Sequence, residues 1–194
     1  DLTSVYGYPS PLVYGMGDDS HKIKALWCAI LDFLRESGYV SLFARGHPML
    51  TPEVLRGDYY KPVGDIVYLD CYMSEEDQLR KYRRNHRQNI RKLKEIGVRC
   101  IRGKGWHFVD EFERIYAKTM ISLGAKSYYL FSDEYYKRLL GADDFEAQVW
   151  IADWNGKVVA TGLLIFCNKF TQYHLSGTDP DYYKLAPSKL LIDE

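Results

Sequence analysis

The stretch that decides the fold covers residues 149–194 and reads VWIADWNGKVVATGLLIFCNKFTQYHLSGTDPDYYKLAPSKLLIDE. Two runs rich in β-branched and aromatic residues, 149–153 and 157–167, lie on either side of a short polar break. That break contains Asn155-Gly156, and Asn-Gly between two apolar runs is a strong signal for a tight hairpin because both residues tolerate positive φ. The sequence therefore predicts two antiparallel strands joined by a two-residue turn.

The same stretch continues with a third strand and a helix. A second short break at 168–169 precedes the alternating residues 170–176, and the Gly-Thr-Asp-Pro cluster at 177–180 is typical of a turn. Pro187, followed by Ser-Lys-Leu-Leu-Ile, predicts the first turn of a helix. Free backbone N–H groups and the positive end of the dipole make such a helix start a plausible place for a ligand.

Upstream of this stretch, helices and strands alternate. Apolar residues at helical spacing predict four helices, and β-branched or aromatic runs predict further short strands. The predicted helices run between Ser20 and Gly38, Ser74 and Gly97, Phe108 and Gly124, and Ser132 and Gly141; the predicted strands cover 11–14, 39–43, 65–70 and 98–101, and a helical turn covers 51–56. This order predicts an α/β or α+β protein.

Composition describes an ordinary globular chain without a global charge. Of its 194 residues 46% are hydrophobic, and the formal net charge is zero, so no overall field favours nucleic acid or a membrane surface. No apolar run has the roughly eighteen residues of a membrane span, and the first residues lack the features of a signal peptide. We predict a cytoplasmic protein.

Four cysteines, Cys28, Cys71, Cys100 and Cys167, are widely spaced and lie in apolar runs. This spacing favours buried, reduced thiols over a disulfide framework or a zinc site. The five histidines have no zinc-ligand spacing, so we predict no metal site. There is no G-x-S-x-G sequence, and Asp179 and Asp181 are typical turn formers. His174, in the third strand, is open to two interpretations, a cleft residue or a core residue.

Local charge is concentrated in residues 80–104. Eleven Lys and Arg residues stand there against Glu95 as the single acid, an excess of ten positive charges. One explanation is a solvated helix face, with cations favouring its C-terminal end. The other is an anionic ligand, because Arg suits bidentate contacts with phosphate or carboxylate. The scarcity of interleaved acids favours the ligand, with Arg87 and Arg91 as candidates.

Three segments resemble a known family: RRNHRQNIRKLKEIGV at 83–98, the helix at 112–123, and YHLSGTDPDYYKLAPSKLLIDE at the end. They are similar to FemAB-type aminoacyltransferases and their acetyltransferase-like relatives in the GNAT superfamily. The resemblance implies a mixed, mainly antiparallel sheet flanked by helices, truncated at the C-terminus. It also implies an incomplete GNAT-like acyltransferase domain at 46–194, with 1–45 as the end of a preceding GNAT-like half.

The resemblance implies transfer of an aminoacyl or acyl group to an amine, as in peptidoglycan biosynthesis for the cell wall. CoA-dependent relatives carry a glycine-rich loop after the corresponding strand, and this chain has Lys-Leu-Ala-Pro-Ser-Lys at 184–189 instead. We therefore expect no tightly bound cofactor and an aminoacyl-tRNA donor, with acyl-CoA as the alternative. The expected partners are an anionic substrate, either the cell-wall precursor or the acyl donor, and tRNA.

Candidate substrate-binding residues follow from this resemblance and from the basic helix. No catalytic residue is assigned. Arg87 and Arg91 would hold phosphates, and Lys126 and Tyr128 would line the cleft. The residues near the acyl group would be Tyr173, Ser176, Tyr183, Lys184 and Ser188. Lys189 is a further substrate-binding candidate, which with Lys184 and Ser188 could meet phosphate at the helix start. Two alternatives stay open: a CoA-dependent GNAT enzyme acting on a polysaccharide or small amine, and a non-enzymatic RNA-binding module that uses the basic helix.

Overall fold

The computed structural model describes residues 1–5, 7–9, 11–17, 19–55 and 60–194, with the side chain of Val54 excepted. The chain divides into two compact units, Asp1–Leu69 and Asp70–Glu194, which are described separately. The assignment of residues 1–45 to a preceding GNAT-like half, with 46–194 as the acyltransferase domain, stays a prediction.

In the first unit, helix α1 spans Ser20–Glu36, and the Asp19 side chain caps it by accepting a hydrogen bond from the Lys22 N–H at 3.1 Å. Gly38 follows the helix with φ +83°, as predicted for a helix C-terminus. Strands β1 (Leu2–Thr3) and β2 (Leu42–Phe43) form a short parallel pair. Helix α1 is confirmed, and the strand predicted at 39–43 is confined to two residues.

Of three other predictions for residues 11–70, the two strands are wrong and the helical turn is confirmed in part. Residues 11–14 and 65–70 are described but are not strands, and neither run belongs to either of the two sheets. The predicted turn at 51–56 is a 3₁₀ helix at Glu53–Leu55, and residue 56 lies outside the described residues.

In the second unit, the single helix predicted from Ser74 to Gly97 is wrong. Two helices are present, α2 (Glu75–Lys81) and α3 (Arg84–Glu95), because Tyr82 and Arg83 have extended backbones with ψ of 140° and 146°. The apolar residues keep helical spacing across the break, so sequence periodicity does not reveal it. The capping prediction holds, since Ser74 accepts a hydrogen bond from the Asp77 N–H at 3.2 Å.

A four-stranded antiparallel sheet forms the centre of this unit. Its strands are β3 (Arg99–Arg102), β4 (Glu146–Trp154), β5 (Lys157–Cys167) and β6 (Phe170–Thr178), in the spatial order β3-β4-β5-β6. Asn155 and Gly156, with φ of 53° and 78°, form the two-residue turn between β4 and β5. Positive φ at both positions defines a type I′ turn, so the predicted hairpin is confirmed.

Helices cover both faces of the sheet. Helices α4 (Val109–Ser122) and α5 (Asp133–Leu140) pack on one face, where Phe112, Val149 and Leu163 are buried. Helix α3 and the short α6 (Ser188–Asp193) pack on the other face, where Leu93, Ala160 and Leu190 are buried. This architecture confirms the predicted class, a mainly antiparallel mixed sheet flanked by helices.

Two β-bulges interrupt the ladder. Val159 is an extra residue in β5, between Val158 opposite Asp153 and Ala160 opposite Ala152. His174 is an extra residue in β6, between Tyr173 opposite Leu164 and Leu175 opposite Leu163. Bulges re-aim side chains and are common beside functional sites, and the second one lies in the strand that leads into the candidate site.

Candidate functional site

The β6–α6 turn, residues 179–187, connects the last strand to the last helix. Asp179 begins it, with only 1% of its surface exposed, and its carboxylate accepts a hydrogen bond from the Asp181 N–H at 3.2 Å. The same carboxylate forms an ion pair of 3.2 Å with the ammonium of Lys118 on α4. Burial raises the pKa of Asp179, but the Asp181 N–H and the Lys118 charge outweigh it and hold this pKa below its usual value.

Helix α4 lies unusually close to the end of β6. The Thr119 hydroxyl accepts a hydrogen bond from the Thr178 N–H at 2.9 Å and lies 2.8 Å from the carbonyl oxygen of Ile115, to which it can donate. Gly177 permits this approach, because a Cβ there would lie 3.0 Å from backbone atoms of Tyr116. The start of the turn is therefore anchored to α4 through a charge pair, a hydroxyl and a close backbone contact.

Backbone N–H groups in the β6–α6 turn are mostly used within the turn. A 3₁₀ helix covers Pro180–Leu185, and the N–H groups of Tyr182, Ala186 and Lys189 donate to carbonyl oxygens of residues 179, 183 and 186. The two prolines, Pro180 and Pro187, have no N–H to offer. Glycine-rich loops bind a pyrophosphate group through several free backbone N–H groups. This turn therefore does not offer such a set of free N–H groups.

Tyr173 and Ser176 are two predicted site residues that the structure brings together. Both lie on the sheet face that also carries Gly162, and a Cβ on Gly162 would lie 2.7 Å from the Tyr173 ring. Burial raises the pKa of Tyr173, and a hydrogen bond with the Ser176 hydroxyl opposes that rise. The Tyr173 ring, the Ser176 hydroxyl and Gly162 are therefore close neighbours on this face.

The remaining predicted substrate-binding residues of this region follow β6. The Tyr183 hydroxyl lies 2.8 Å from the Ser122 hydroxyl at the end of α4, so Tyr183 joins the turn to that helix. Lys184 is exposed, and Ser188 and Lys189 begin α6. Burial, and next the charge of Lys189, lower the pKa of His86 on α3.

Lys126 and Tyr128 lie on a different segment, the loop between α4 and α5. Both side chains are exposed, and the Tyr128 ring packs on Tyr129 with ring centroids 4.4 Å apart. Within the described residues, no hydrogen bond, ion pair or ring contact joins either of them to another predicted site residue. Their place in a cleft stays a prediction.

Arg87 has a structural contact that the sequence does not show. Its Nη1 donates to the carbonyl oxygen of Tyr82 at 2.6 Å and lies 3.2–3.3 Å from those of Arg80 and Leu79. A cation at the C-terminus of a helix satisfies free carbonyl groups and matches the negative end of the dipole. Arg87 therefore stabilises the end of α2 and the break before α3, and its contact with an anion stays a prediction.

Arg91 forms a surface ion pair of 2.9 Å with Glu95, and 83% of its side chain is exposed. Arg87 and Arg91 line a pocket of about 380 Å³ together with Leu79, Ile90, Lys94, Glu95 and Asp193. Folding supplies further acids to the basic segment: Glu76 and Asp77 pair with Arg80, Asp193 and Glu194 with Lys94, and Glu146 with Arg102. The excess of ten positive charges in residues 80–104 is thus partly neutralised.

His174, which the sequence left open between a cleft and a core position, is partly buried and contacts Tyr135 on α5. Its Nε2 lies 2.5 Å from the hydroxyl of Tyr135 on α5, and burial lowers its pKa. The sequence predicts no functional role for Tyr135. No sequence signal identifies the pair, because the two residues meet only through the bulge in β6.

The cysteine prediction is wrong for three of the four thiols. Cys28, Cys71 and Cys167 are exposed, and only Cys100 is partly buried, where desolvation raises its pKa to about 12. Apolar neighbours in sequence did not ensure burial: Cys28 lies on an exposed side of α1, Cys71 lies outside regular structure, and Cys167 is the last residue of β5. Within the described residues, no group of three or more His, Cys, Asp or Glu side chains is arranged to hold a metal ion.

An antiparallel four-stranded sheet with helices on both faces, followed by a turn and a helix, defines the class as a GNAT-type acyltransferase fold. A sequence profile described as "Acetyltransferase (GNAT) domain" matches residues 80–194, more than half of the chain. The chain belongs to this GNAT acetyltransferase family, which supports N-acyltransferase activity in general and implies an acyl donor and an acceptor as substrates. No curated protein matches the chain in sequence. Across the described ranges, none of the helices combines the length and apolarity of a membrane span.

Proposed function

We propose that this protein is a FemAB-type N-acyltransferase that takes an aminoacyl group from aminoacyl-tRNA and transfers it to an amine of an anionic peptidoglycan precursor. The reaction requires a deprotonated amine and stabilisation of the developing oxyanion, which positioning, backbone N–H groups and cations can provide. Tyr173 and Ser176 would contact the acyl group. Lys126 and Tyr128 would line the acceptor cleft, and Arg91 would hold a phosphate.

One observation carries the choice of donor, namely the closed β6–α6 turn. Its N–H groups are bonded within a 3₁₀ helix and its prolines have none, so the turn offers little to the pyrophosphate of CoA. Aminoacyl-tRNA needs no such cradle, since its phosphates are spread along the nucleic acid and suit scattered Lys and Arg side chains. Helices α2 and α3 carry exposed cations that could bind such phosphates. Examples are Lys81, Arg84 and Lys92, for which no ion pair is described.

A CoA-dependent N-acyltransferase acting on a polysaccharide or small amine is the second candidate. The matching family is described as an acetyltransferase domain, which favours it. In that case Lys184, Ser188 and Lys189 at the start of α6 would contact the CoA phosphates.

Binding separates the two candidates. We would titrate the full chain by calorimetry with acetyl-CoA, with alanyl-tRNA and with uncharged tRNA, each at two salt concentrations. The proposal expects alanyl-tRNA to bind more tightly than uncharged tRNA and acetyl-CoA not to bind. Tight binding of acetyl-CoA with no preference for charged tRNA would replace the proposal by the second candidate. Binding of both tRNAs alike, without transfer to any amine, would favour an RNA-binding module.

The role of the basic helix is tested by a matched pair of arginines. Arg91 pairs with Glu95 at 2.9 Å and is 83% exposed, and Arg138 on α5 pairs with Glu134 at 3.0 Å and is 81% exposed. We expect Arg91→Ala to raise KM for the anionic substrate about tenfold or more, since a charge-assisted hydrogen bond contributes roughly 1.5–3 kcal/mol. Arg138→Ala should leave KM unchanged. If the two changes have equal effects on KM, the basic side of α3 is a solvent-exposed face that does not bind the substrate.

A further inference from the structure

The pocket of about 380 Å³ between helices α2, α3 and α6 has an apolar base and a charged rim. Ile90 of α3 is 4% exposed and lies at its base, beside Leu79 of α2, which is 39% exposed. Arg87, Arg91 and Glu95 are exposed and therefore lie at the rim. Pockets for small molecules have volumes of about 300–1,000 Å³, so this one suits a single small group rather than a long chain.

The excess positive charge of the pocket is concentrated at one end. Lys94 pairs with Asp193 of α6 at 2.9 Å, and Arg91 pairs with Glu95 at 2.9 Å. Arg87 pairs with no acid among the described residues, since its Nη1 contacts backbone carbonyls instead. One unneutralised charge matches the single negative charge of a phosphodiester, whereas a pyrophosphate has several. The pocket therefore favours a phosphodiester that is joined to an apolar or flat group.

Arg87 and Arg91 retain hydrogen-bond donors for such a phosphate. Arg91 bonds to Glu95 through Nε and Arg87 bonds through Nη1, and within the described residues their other guanidinium N–H groups have no partner. Residues four apart on a helix are neighbours, so both guanidinium groups can contact one phosphate. The carbonyl contacts also fix the planar guanidinium of Arg87, which gives a base a surface for stacking.

Further cations lie next to the pocket. Arg84 is three residues before Arg87 and so lies one turn away on the same side of α3, and Lys92 follows Arg91. Both are exposed, as is Lys81 at the end of α2, and no ion pair is described for them. A strand with one base in the pocket could therefore place its next phosphates along α3. Such a base must be unpaired, because bases inside a duplex cannot reach a pocket.

We propose that this pocket binds one unpaired nucleotide of the donor RNA, with its base against Leu79 and Ile90 and its phosphate on Arg87 and Arg91. The inference rests on the proposed transfer from aminoacyl-tRNA. It adds a contact with a base to the phosphate contact proposed for Arg91, and so distinguishes a built nucleotide site from a surface that attracts any polyanion.

The test compares two single-stranded probes in binding to the full chain, tetra-adenylate and a tetramer with the same sugar–phosphate backbone but no bases. Fluorescence anisotropy gives Kd for each probe at two salt concentrations. The wild type should bind tetra-adenylate at least about fivefold more tightly than the abasic tetramer, which is the smallest effect expected of one stacked base. A surface that recognises phosphates alone would bind the two probes equally.

Two variants separate the base contact from the phosphate contact. Leu79→Ala removes apolar surface without a change of charge, and it should weaken binding of tetra-adenylate about threefold or more while the Kd of the abasic tetramer is unchanged. The matched control is Leu123→Ala, because Leu123 is 67% exposed at the end of α4, outside the pocket, and its change should affect neither Kd. Arg91→Ala should weaken both probes about tenfold and reduce the slope of log K against log salt by about 0.7.

The outcomes distinguish this inference from the proposed function, which is measured as transfer from alanyl-tRNA. Equal Kd values for the two probes, or no binding of either, would overturn the nucleotide pocket and leave the proposed function standing. Wild-type affinity of Leu79→Ala for tetra-adenylate would also overturn it. A rise of about threefold in KM for alanyl-tRNA in Leu79→Ala, with kcat unchanged, would support the role in donor binding. A base preference without any transfer from alanyl-tRNA would overturn that role together with the proposed function.

Discussion

Asp179→Asn tests the anchoring of the β6–α6 turn most directly. Asp179 is 1% exposed, and its carboxylate is 3.2 Å from the Lys118 ammonium and 3.2 Å from the Asp181 N–H. Its pKa stays below the usual value in spite of burial, so the folded protein favours the charged carboxylate. An Asn side chain retains an oxygen for the N–H but loses the charge, and the variant should therefore be less stable.

The size of the effect follows from the contacts. A hydrogen bond to a charged group contributes about 1.5–3 kcal/mol and a neutral one about 0.5–1.5 kcal/mol, so two such contacts could lose about 2 kcal/mol together. Lys118 is 47% exposed and regains water when its partner becomes neutral, which reduces the loss. We expect about 1.5 kcal/mol, or a decrease in Tm of roughly 3–6 °C for a chain of this length.

The assay combines urea unfolding with hydrogen-exchange mass spectrometry of peptides from residues 70–194, so that the unit carrying the turn is observed by itself. Asp181→Asn is the control, because that side chain is exposed in the same turn and its change should stay within about 0.5 kcal/mol. If Asp179→Asn unfolds within about 0.5 kcal/mol of the wild type at pH 7, the charge pair does not anchor the turn, which contradicts this account of the site.

Lowering the pH tests whether the charge of Asp179 is what stabilises the protein. A carboxylate whose pKa is lowered by folding stabilises the protein above its unfolded pKa, and this contribution is lost as pH falls through the lower folded value. The free energies of unfolding of the wild type and Asp179→Asn should therefore differ at pH 7 and converge below the ordinary carboxyl range. A constant difference down to that range would mean that the effect is steric rather than electrostatic.

Three further changes have defined outcomes. Arg87→Met should reduce the stability of α2 by about 1–2 kcal/mol, because Nη1 no longer contacts its terminal carbonyls, and amide exchange in Glu75–Lys81 measures this; Arg84→Met, an exposed neighbour on α3, is the control and should leave exchange unchanged. Gly177→Ala should destabilise the protein by roughly 1–3 kcal/mol in thermal unfolding, because the new Cβ lies 3.0 Å from the backbone of Tyr116, whereas Gly64→Ala meets nothing within 4 Å and should be near neutral; equal Tm values would contradict the close packing of α4 on β6. Iodoacetamide at pH 8 should label Cys28, Cys71 and Cys167 but spare Cys100, whose pKa is raised to about 12, and peptide mass spectrometry identifies the labelled thiols; fast labelling of Cys100 would refute its burial.

Local patterns were predictable from sequence because they depend on neighbouring residues. The Asn155-Gly156 turn, the three strands and α4 follow from turn chemistry and from apolar periodicity, and all were confirmed. Periodicity failed at Tyr82 and Arg83, where the chain keeps its helical spacing but leaves the helix. The carbonyl contacts of Arg87 stabilise that break, and a side chain reaching back five to eight residues is invisible to a periodic pattern.

The candidate site was predictable only in part. The sequence indicates β6 and the turn after it, and the structure brings Tyr173 and Ser176 together there. It gave no sign of the Tyr135–His174 contact, because a bulge changes the face of one strand residue without any change in composition. The basic segment has few acids of its own, because most of its acidic partners lie outside it: Glu76 and Asp77 just before it, and Glu146, Asp193 and Glu194 far along the chain.

The sequence by itself determined the order of elements from β3 to α6, the tight hairpin and the absence of a global charge, since each depends on residue types and their spacing. Tertiary structure alone decided which charges are paired and which polar atoms are buried. Lys94 meets Asp193 across 99 residues, Lys118 meets Asp179 across 61, and Tyr135 meets His174 across 39. Such contacts form only when helices close on both faces of the sheet, because packing and not sequence distance sets which groups come within a few ångströms of each other.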